Sequence, residues 1–159
     1  IHVNASGDGL DSNGDLYVSG GTVYVSGPTD NGNGALDYDG TAAITGGTVI
    51  AAGSSGMAQN FGSSSTQGSI LLTYSSYSTA AVTVKDSSGN TLATFTPDKK
   101  YNCVVVSTPA LKQGGTYTVT AAGQSSSVTL SSLIYGSGSG MGGGMSGGQG
   151  GMGGRPGGR

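Results

Sequence analysis

The chain has 159 residues, of which 34% are hydrophobic and 9% are charged, and its net charge is −2. This composition excludes a highly charged disordered chain, and no apolar run approaches the roughly 18 residues of a membrane-spanning helix. Gly, Ser, Thr and Val are abundant and Glu is absent, so the composition favours strands and turns over helices and predicts an all-β fold.

Charge is divided unevenly along the chain. The segment 1–84 contains six Asp and no Lys or Arg, whereas the segment 85–159 contains six basic side chains and two Asp. An acidic N-terminal half without a basic stripe argues against nucleic acid as a partner. Cys103 is the single cysteine, so no intrachain disulfide can form, and its apolar neighbours predict a buried side chain.

An internal repeat occupies the N-terminal part of the chain. GDLYVSGGTVYVSG (residues 14–27) matches GTAAITGGTVIAAG (residues 40–53) without a gap, and the turns before them match at the same offset. The two segments begin at residues 14 and 40, a spacing typical of the repeats of a solenoid. Each Gly-Gly pair is flanked by two runs that are too short to form helices. The sequence therefore predicts about two and a half coils of a short right-handed parallel β-helix.

Alternation within the two runs predicts which side chains face the core. The predicted inward residues are Leu16, Val18, Val23, Val25, Ile44 and Val49. The predicted outward residues are Tyr17, Thr22, Tyr24, Ala43, Thr48 and Ile50. Stacking of the coils would place His2, Tyr24 and Ile50 in one outward column and Tyr17 above Ala43 in another. These columns are the flat surfaces available for binding.

The period is lost after the second coil. Residues 54–67 are expected to fold over an open coil end, which makes residues 1–68 a unit of coils and capping loop. Alternating runs separated by turn signals predict an antiparallel β module at 69–136. Residues 137–159 form a Gly- and Met-rich tail that fits either a flexible or an ordered, packed segment. Because its first residues already have a strand pattern, the sequence is expected to be a piece of a longer chain.

Two successive turns of the repeat concentrate oxygen-bearing side chains. Calcium prefers about six to eight oxygen ligands, and stacking of the two turns would supply carboxylates from both, which predicts a calcium site. The candidate ligands are Asp8, Asp11, Asn13, Asp15, Asp37 and Asp39. Asp and Asn are also the preferred residues of tight turns, so the same residues fit a purely structural role.

Three segments in order, NASGDGLDSNGDLYVSGGTVYVSGP, NGNGALDYDGTAAITGGTVIAAGSSGMAQ and SSSTQGSILL, carry a family resemblance. They resemble the carbohydrate-binding domain family of secreted Gram-positive bacterial proteins, whose fold is a small parallel β-helix related in shape to pectate lyases. The resemblance covers about residues 1–136 and is most specific over 1–72. It implies an extracellular protein, secreted or at the cell surface, that binds an acidic polysaccharide such as polygalacturonate with calcium and without catalysis.

Aromatic side chains on the outward faces are the candidates for sugar contacts. Tyr17, Tyr24 and Tyr38 would serve as apolar platforms, although each also fits an ordinary strand position. An enzyme is not expected, because a lyase acting on uronates needs a basic side chain and no Lys or Arg precedes Lys85. The sequence also lacks an evident set of nucleophile, base and orienting group.

A structural protein is the alternative from a different class. An open coil end exposes unpaired backbone, which pairs readily with another chain. Head-to-tail contacts of this kind do not close on themselves. The alternative function is therefore a subunit of a self-assembling extracellular filament, built by stacking of coil ends and Gly-rich tails.

Overall fold

The computed structural model describes residues 1–137, and this part of the chain is all-β, as predicted, with no helix and hence no helix able to span a membrane. Twelve strands follow one another as β1 (His2–Asn4), β2 (Leu10–Ser12), β3 (Leu16–Ser26), β4 (Leu36–Tyr38), β5 (Ala42–Gly53), β6 (Ser69–Ser78), β7 (Val82–Asp86), β8 (Thr91–Phe95), β9 (Tyr101–Ser107), β10 (Thr116–Ala121), β11 (Gln124–Thr129) and β12 (Ile134–Tyr135). The predicted Gly-rich tail lies outside the described residues, except for Ser137.

The strands form three sheets with both parallel and antiparallel pairing. Sheet A has six strands in the order β1-β3-β5-β9-β6-β12, sheet B consists of β2 and β4, and sheet C has the order β11-β10-β7-β8. The repeat stacks in parallel, because β1 pairs with β3, β3 with β5 and β2 with β4. Leu10 lies opposite Leu36, and Leu16 lies opposite Ala42. Each of these residues therefore pairs with its equivalent in the next sequence repeat.

Hydrophobic side chains form two cores. The first lies inside the repeat and contains five of the predicted inward residues, Val18, Val23, Val25, Ile44 and Val49. Their burial confirms the alternation, while Leu16 at the upstream end is half-buried. The second core lies between sheets A and C and draws its side chains from strands of both sheets.

One predicted outward face is buried. Ile50 is completely buried, because it belongs to the core that sheet A shares with sheet C, and its placement on an open surface is wrong. Ala43, also predicted to face outward, is 2% exposed. At Tyr24 and Ile50 the outward column is therefore an interface between two sheets, whereas His2 at its upstream end is exposed.

The downstream end of the repeat is covered. β9 pairs antiparallel with the second half of β5 and also with β6, so it joins the repeat to the antiparallel strands within one sheet. Residues 54–68 run along the rest of this end. The N–H of Gly62 donates to the carbonyl of Ala42 at 2.7 Å, and the N–H of Thr66 donates to Ile44 at 3.0 Å. β5 is thus covered at this end, whereas β4 has no second strand partner within residues 1–137, and its Tyr38 backbone bonds to the side-chain amide of Gln59.

The repeated Gly-Gly pair allows a direct test of coil stacking. Gly21 and Gly47 occupy equivalent positions, with φ of 80° and 86°, where a side chain costs roughly 1–2 kcal/mol. A Cβ on Gly47 would lie 2.6 Å from the carbonyl carbon of Gly20, whereas a Cβ on Gly21 would meet nothing within 4 Å. We expect Gly47→Ala to lower the free energy of unfolding at least twice as much as Gly21→Ala, measured by urea unfolding. Equal losses would contradict the stacking.

Candidate functional site

Three carboxylates converge on the outer side of sheet B. Asp8 lies in the turn before β2, Asp11 lies in β2 and Asp37 lies in β4. Asp11 and Asp37 are direct partners in the parallel ladder, because they occupy the same position of successive repeats. One oxygen from each of the three side chains lies within 4.8 Å of the others. Stacking of the repeats thus brings Asp8, Asp11 and Asp37 together in one group, here called the Asp triad.

Backbone contacts hold part of the Asp triad in place. One oxygen of Asp8 accepts a 2.8 Å hydrogen bond from the N–H of Gly34, which ties the first repeat to the second. Asp8 and Asp37 are half-buried and Asp11 is exposed. The group is therefore held by the backbone at Asp8 and exposed to solvent at Asp11.

Burial and mutual repulsion act on the central carboxylate. Burial raises the pKa of Asp37, and the charges of Asp8, Asp11 and Asp39 raise it further. The folded protein therefore holds this proton more tightly than an unfolded chain, in which the pKa is 3.8. The contribution of Asp37 to stability is therefore greatest while its carboxyl is protonated, and it is lost as the pH rises from 3.8 through the raised pKa. A bound cation would relieve the repulsion.

The other predicted ligands lie outside the Asp triad. Asp15 accepts hydrogen bonds from the N–H of Thr41 at 2.7 Å and from the hydroxyl of Tyr17 at 3.0 Å. These two bonds, the first being the larger effect, lower the pKa of Asp15. Asp39 is exposed, and its charge raises the pKa of Asp37. Asn13 is exposed in the turn after β2. Asp15 thus fastens one repeat to the next, through a backbone N–H 26 residues away.

The three predicted sugar platforms differ in accessibility. Tyr17 is 63% exposed on the first half of β3. Tyr24 stacks on Phe95 of sheet C, with ring centroids 4.5 Å apart and an angle of 6° between the rings. Tyr38 is half-buried and its hydroxyl donates to the carbonyl of Asn60. Of the three rings, Tyr17 alone stands open to a ligand.

The loop between β8 and β9 makes contacts that sequence patterns do not indicate. Asp98 lies 2.7 Å from the ring nitrogen Nε2 of His2. Lys99 donates to the carbonyl of Ala5 at 2.6 Å. These contacts fasten the first repeat to the antiparallel strands. A pair of side chains so far apart in the chain has no local signal in the sequence.

Cys103 is not a candidate nucleophile. Its side chain is 3% exposed, as its apolar neighbours predict. Burial raises the pKa of its thiol to about 12, so the thiol stays protonated at neutral pH. Only the thiolate is a strong nucleophile, and this residue acts as a small hydrophobic side chain of the repeat core.

Comparison with known proteins assigns no family to this chain. No protein-family model, no curated protein and no solved structure matches it. The resemblance of its repeat to a carbohydrate-binding family therefore stays a prediction, and a function is inferred from the fold and its side chains.

Proposed function

We propose that this chain is a non-catalytic, extracellular binding module for an acidic polysaccharide, with calcium bridging the protein to uronate carboxylates. The convergence of the Asp triad from two neighbouring repeats, with oxygens within 4.8 Å, is the observation that supports it most. We also propose that the parallel stack of β1, β3 and β5 beside β2 and β4 is a short right-handed parallel β-helix, the architecture of the family that the repeat resembles.

The chemistry of the Asp triad fits a hard divalent cation. Calcium takes about six to eight oxygen ligands in proteins, and Asp carboxylates are among them. The Asp triad supplies three carboxylates and is open on its outer side. Water and the carboxylates of a uronate chain can complete such a shell. The charge repulsion that raises the pKa of Asp37 also favours a cation at this place.

Tyr17 is the candidate for a direct sugar contact. Its ring is exposed, and the bond from its hydroxyl to Asp15 restrains it. A restrained aromatic ring loses little conformational entropy when a sugar ring packs on it. Tyr17 lies on β3, the strand that follows β2 of the Asp triad, and we assign both to one polysaccharide-binding surface.

Catalysis is not part of the proposal. The segment 1–84 contains no Lys or Arg to act as the base of a uronate lyase. Lys99, which reaches the first repeat from the loop before β9, is engaged with the carbonyl of Ala5. The Asp triad is therefore assigned to binding.

A retention experiment tests the binding function. The protein should be retained on polygalacturonate in calcium and released by EDTA, and Asp37→Asn should weaken retention at least tenfold because it removes a central ligand. Asp30→Asn is the matched control, since Asp30 makes turn contacts to Gly32 and Asn33 that Asn can also make. No retention of the unmodified protein in either condition would refute the proposal.

The same substitution has an opposite expected effect on stability. In EDTA at pH 7, Asp37→Asn should raise the free energy of unfolding, by up to about 1 kcal/mol, because it removes a charge held among like charges. Added calcium should stabilise the unmodified protein and leave Asp37→Asn unchanged. Thermal unfolding with and without calcium measures both effects. A lower stability of Asp37→Asn in EDTA would contradict the electrostatic account.

The filament subunit has less support. Stacking of coil ends from head to tail requires two open ends. In residues 1–137 the downstream end is covered by β9 and by residues 54–68. The Gly-rich tail, the other element of that prediction, lies outside the described residues. We therefore rank the filament below the binding module.

A further inference from the structure

Three Asn-Gly pairs lie between the strands of the repeat, at Asn13, Asn31 and Asn33. Asparagine is chemically labile, and it is most labile before glycine, which has no Cβ to hinder attack by its own main-chain nitrogen. Attack of that nitrogen on the side-chain carbonyl carbon of the asparagine releases ammonia and closes a succinimide ring. The reaction needs loss of the glycine N–H proton and an asparagine side chain that is free to turn toward the nitrogen. Both conditions depend on the fold.

Carboxylates hold the glycine nitrogens of the two pairs in the loop between β3 and β4. The N–H of Gly34 donates to Asp8 at 2.8 Å, and the N–H of Gly32 donates to Asp30 at 2.9 Å. A hydrogen bond to a carboxylate is stronger than one to a neutral group, and the negative charge of the acceptor opposes loss of the proton from the nitrogen. These two nitrogens are therefore poor nucleophiles in the folded protein.

The asparagine side chains of the same two pairs are also held in place. Asn33 is half-buried, and its amide nitrogen Nδ2 donates to Asp30 at 3.1 Å. The amide oxygen Oδ1 of Asn31 accepts a hydrogen bond from the hydroxyl of Ser54. A Cβ added to Gly56 would lie 2.5 Å from the Cβ of Asn31, so this residue packs closely on the neighbouring main chain. Neither side chain reaches its glycine nitrogen unless these contacts break.

Asn13 lacks these restraints. It is exposed in the turn after β2, and its side chain makes no hydrogen bond to another of residues 1–137. The N–H of Gly14 donates to the hydroxyl of Ser12 at 3.1 Å, so its acceptor is neutral. Apart from its chain neighbours, no residue comes within 4 Å of a Cβ built on Gly14, and the space beside the reacting nitrogen is open. The fold therefore leaves one of the three pairs free to react.

We propose that Asn13 is a site of spontaneous deamidation, with water as the co-reactant, and that the fold protects Asn31 and Asn33. A bond forms between the nitrogen of Gly14 and the side-chain carbonyl carbon of Asn13, and ammonia leaves with the amide nitrogen and the glycine proton. Water then opens the ring at the side-chain carbonyl to give aspartate, or at the main-chain carbonyl to give isoaspartate. Either product adds a negative charge two residues from Asp11 of the Asp triad. The isoaspartate also lengthens the main chain between β2 and β3 by one carbon.

Ageing of the unmodified chain in EDTA at mildly alkaline pH tests the proposal, with samples digested at intervals and each site read by mass spectrometry. Deamidation at Asn13 should be at least about fivefold faster than at Asn31 or Asn33, because reaction at the protected pairs requires local opening of their loop. In urea that unfolds the chain, the three rates should approach one another. Equal rates in the folded protein, or a preference for Asn13 that persists unchanged in urea, would overturn the proposal.

Two matched variants assign the protection to the carboxylates. Asp8→Asn keeps an oxygen acceptor for the N–H of the second glycine but removes its charge, and it should accelerate deamidation at Asn33. Asp30→Asn should likewise accelerate deamidation at Asn31. Neither variant should change the rate at Asn13. Unchanged rates at Asn31 and Asn33 in both variants would contradict protection by the carboxylates. These readouts involve neither calcium nor sugar, so the proposed function can fail independently of them.

Discussion

Ile50→Ala is expected to lower the free energy of unfolding by about 2–5 kcal/mol. The side chain is completely buried in the core between sheets A and C. Its truncation removes buried methyl and methylene groups and leaves a cavity that two packed sheets cannot easily close. Stability of the junction between the repeat and the antiparallel strands should therefore depend strongly on one residue.

Urea unfolding of a matched pair measures this effect. Thr45 lies in the same strand but is exposed, so Thr45→Ala should change stability by less than about 0.5 kcal/mol. The sequence alone places Ile50 on an outward face, which would make the two substitutions equally mild. Similar small losses for both variants would mean that sheet C does not cover this face.

Asn60→Asp is expected to be even more disruptive at neutral pH, with a loss of about 3–5 kcal/mol. Asn60 is 6% exposed, and its amide nitrogen donates to the carbonyls of Tyr135 and Gly136 at 2.9 Å each. Its amide oxygen accepts the N–H of Phe61 at 2.8 Å. The amide nitrogen also donates to the carbonyl of Ser69 at 3.4 Å, so an Asp of the same shape would lose three donated bonds and place a charge beside three carbonyl oxygens.

The pH dependence of this loss identifies its cause. Beside those carbonyls the new carboxyl would have a raised pKa in the folded state, so its protonated form is favoured and stability should recover as the pH falls toward about 4. Asn60→Ala removes the same hydrogen bonds without adding a charge. It should be less harmful than Asn60→Asp at neutral pH, with a smaller difference in acid. An equal loss for Asn60→Asp at both pH values would rule out the buried charge as its cause.

Much of the N-terminal half could be predicted because its information is local and repeated. Parallel stacking at a constant offset places each residue over its equivalent, so Asp11 pairs with Asp37 as the period of the repeat requires. The alternation of inward and outward positions likewise assigned Val25 and Val49 to the core. Within the candidate site, the period brought Asp11 and Asp37 together. The period of the repeat did not show that Asp15 lies outside the Asp triad. Asp15 accepts hydrogen bonds from Thr41 and Tyr17.

The sequence by itself thus determined the all-β class, the register of the repeat and the pairing of Asp11 with Asp37. Only the tertiary structure decided which outward faces are free. Alternation divides a strand into two faces but carries no information on what packs against the outer one, since that depends on strands far along the chain. Phe95 covers Tyr24, and β9 inserts between β5 and β6 to bring sheet C over Ile50. Tyr17 stays exposed because no distant strand reaches its side of the repeat within residues 1–137.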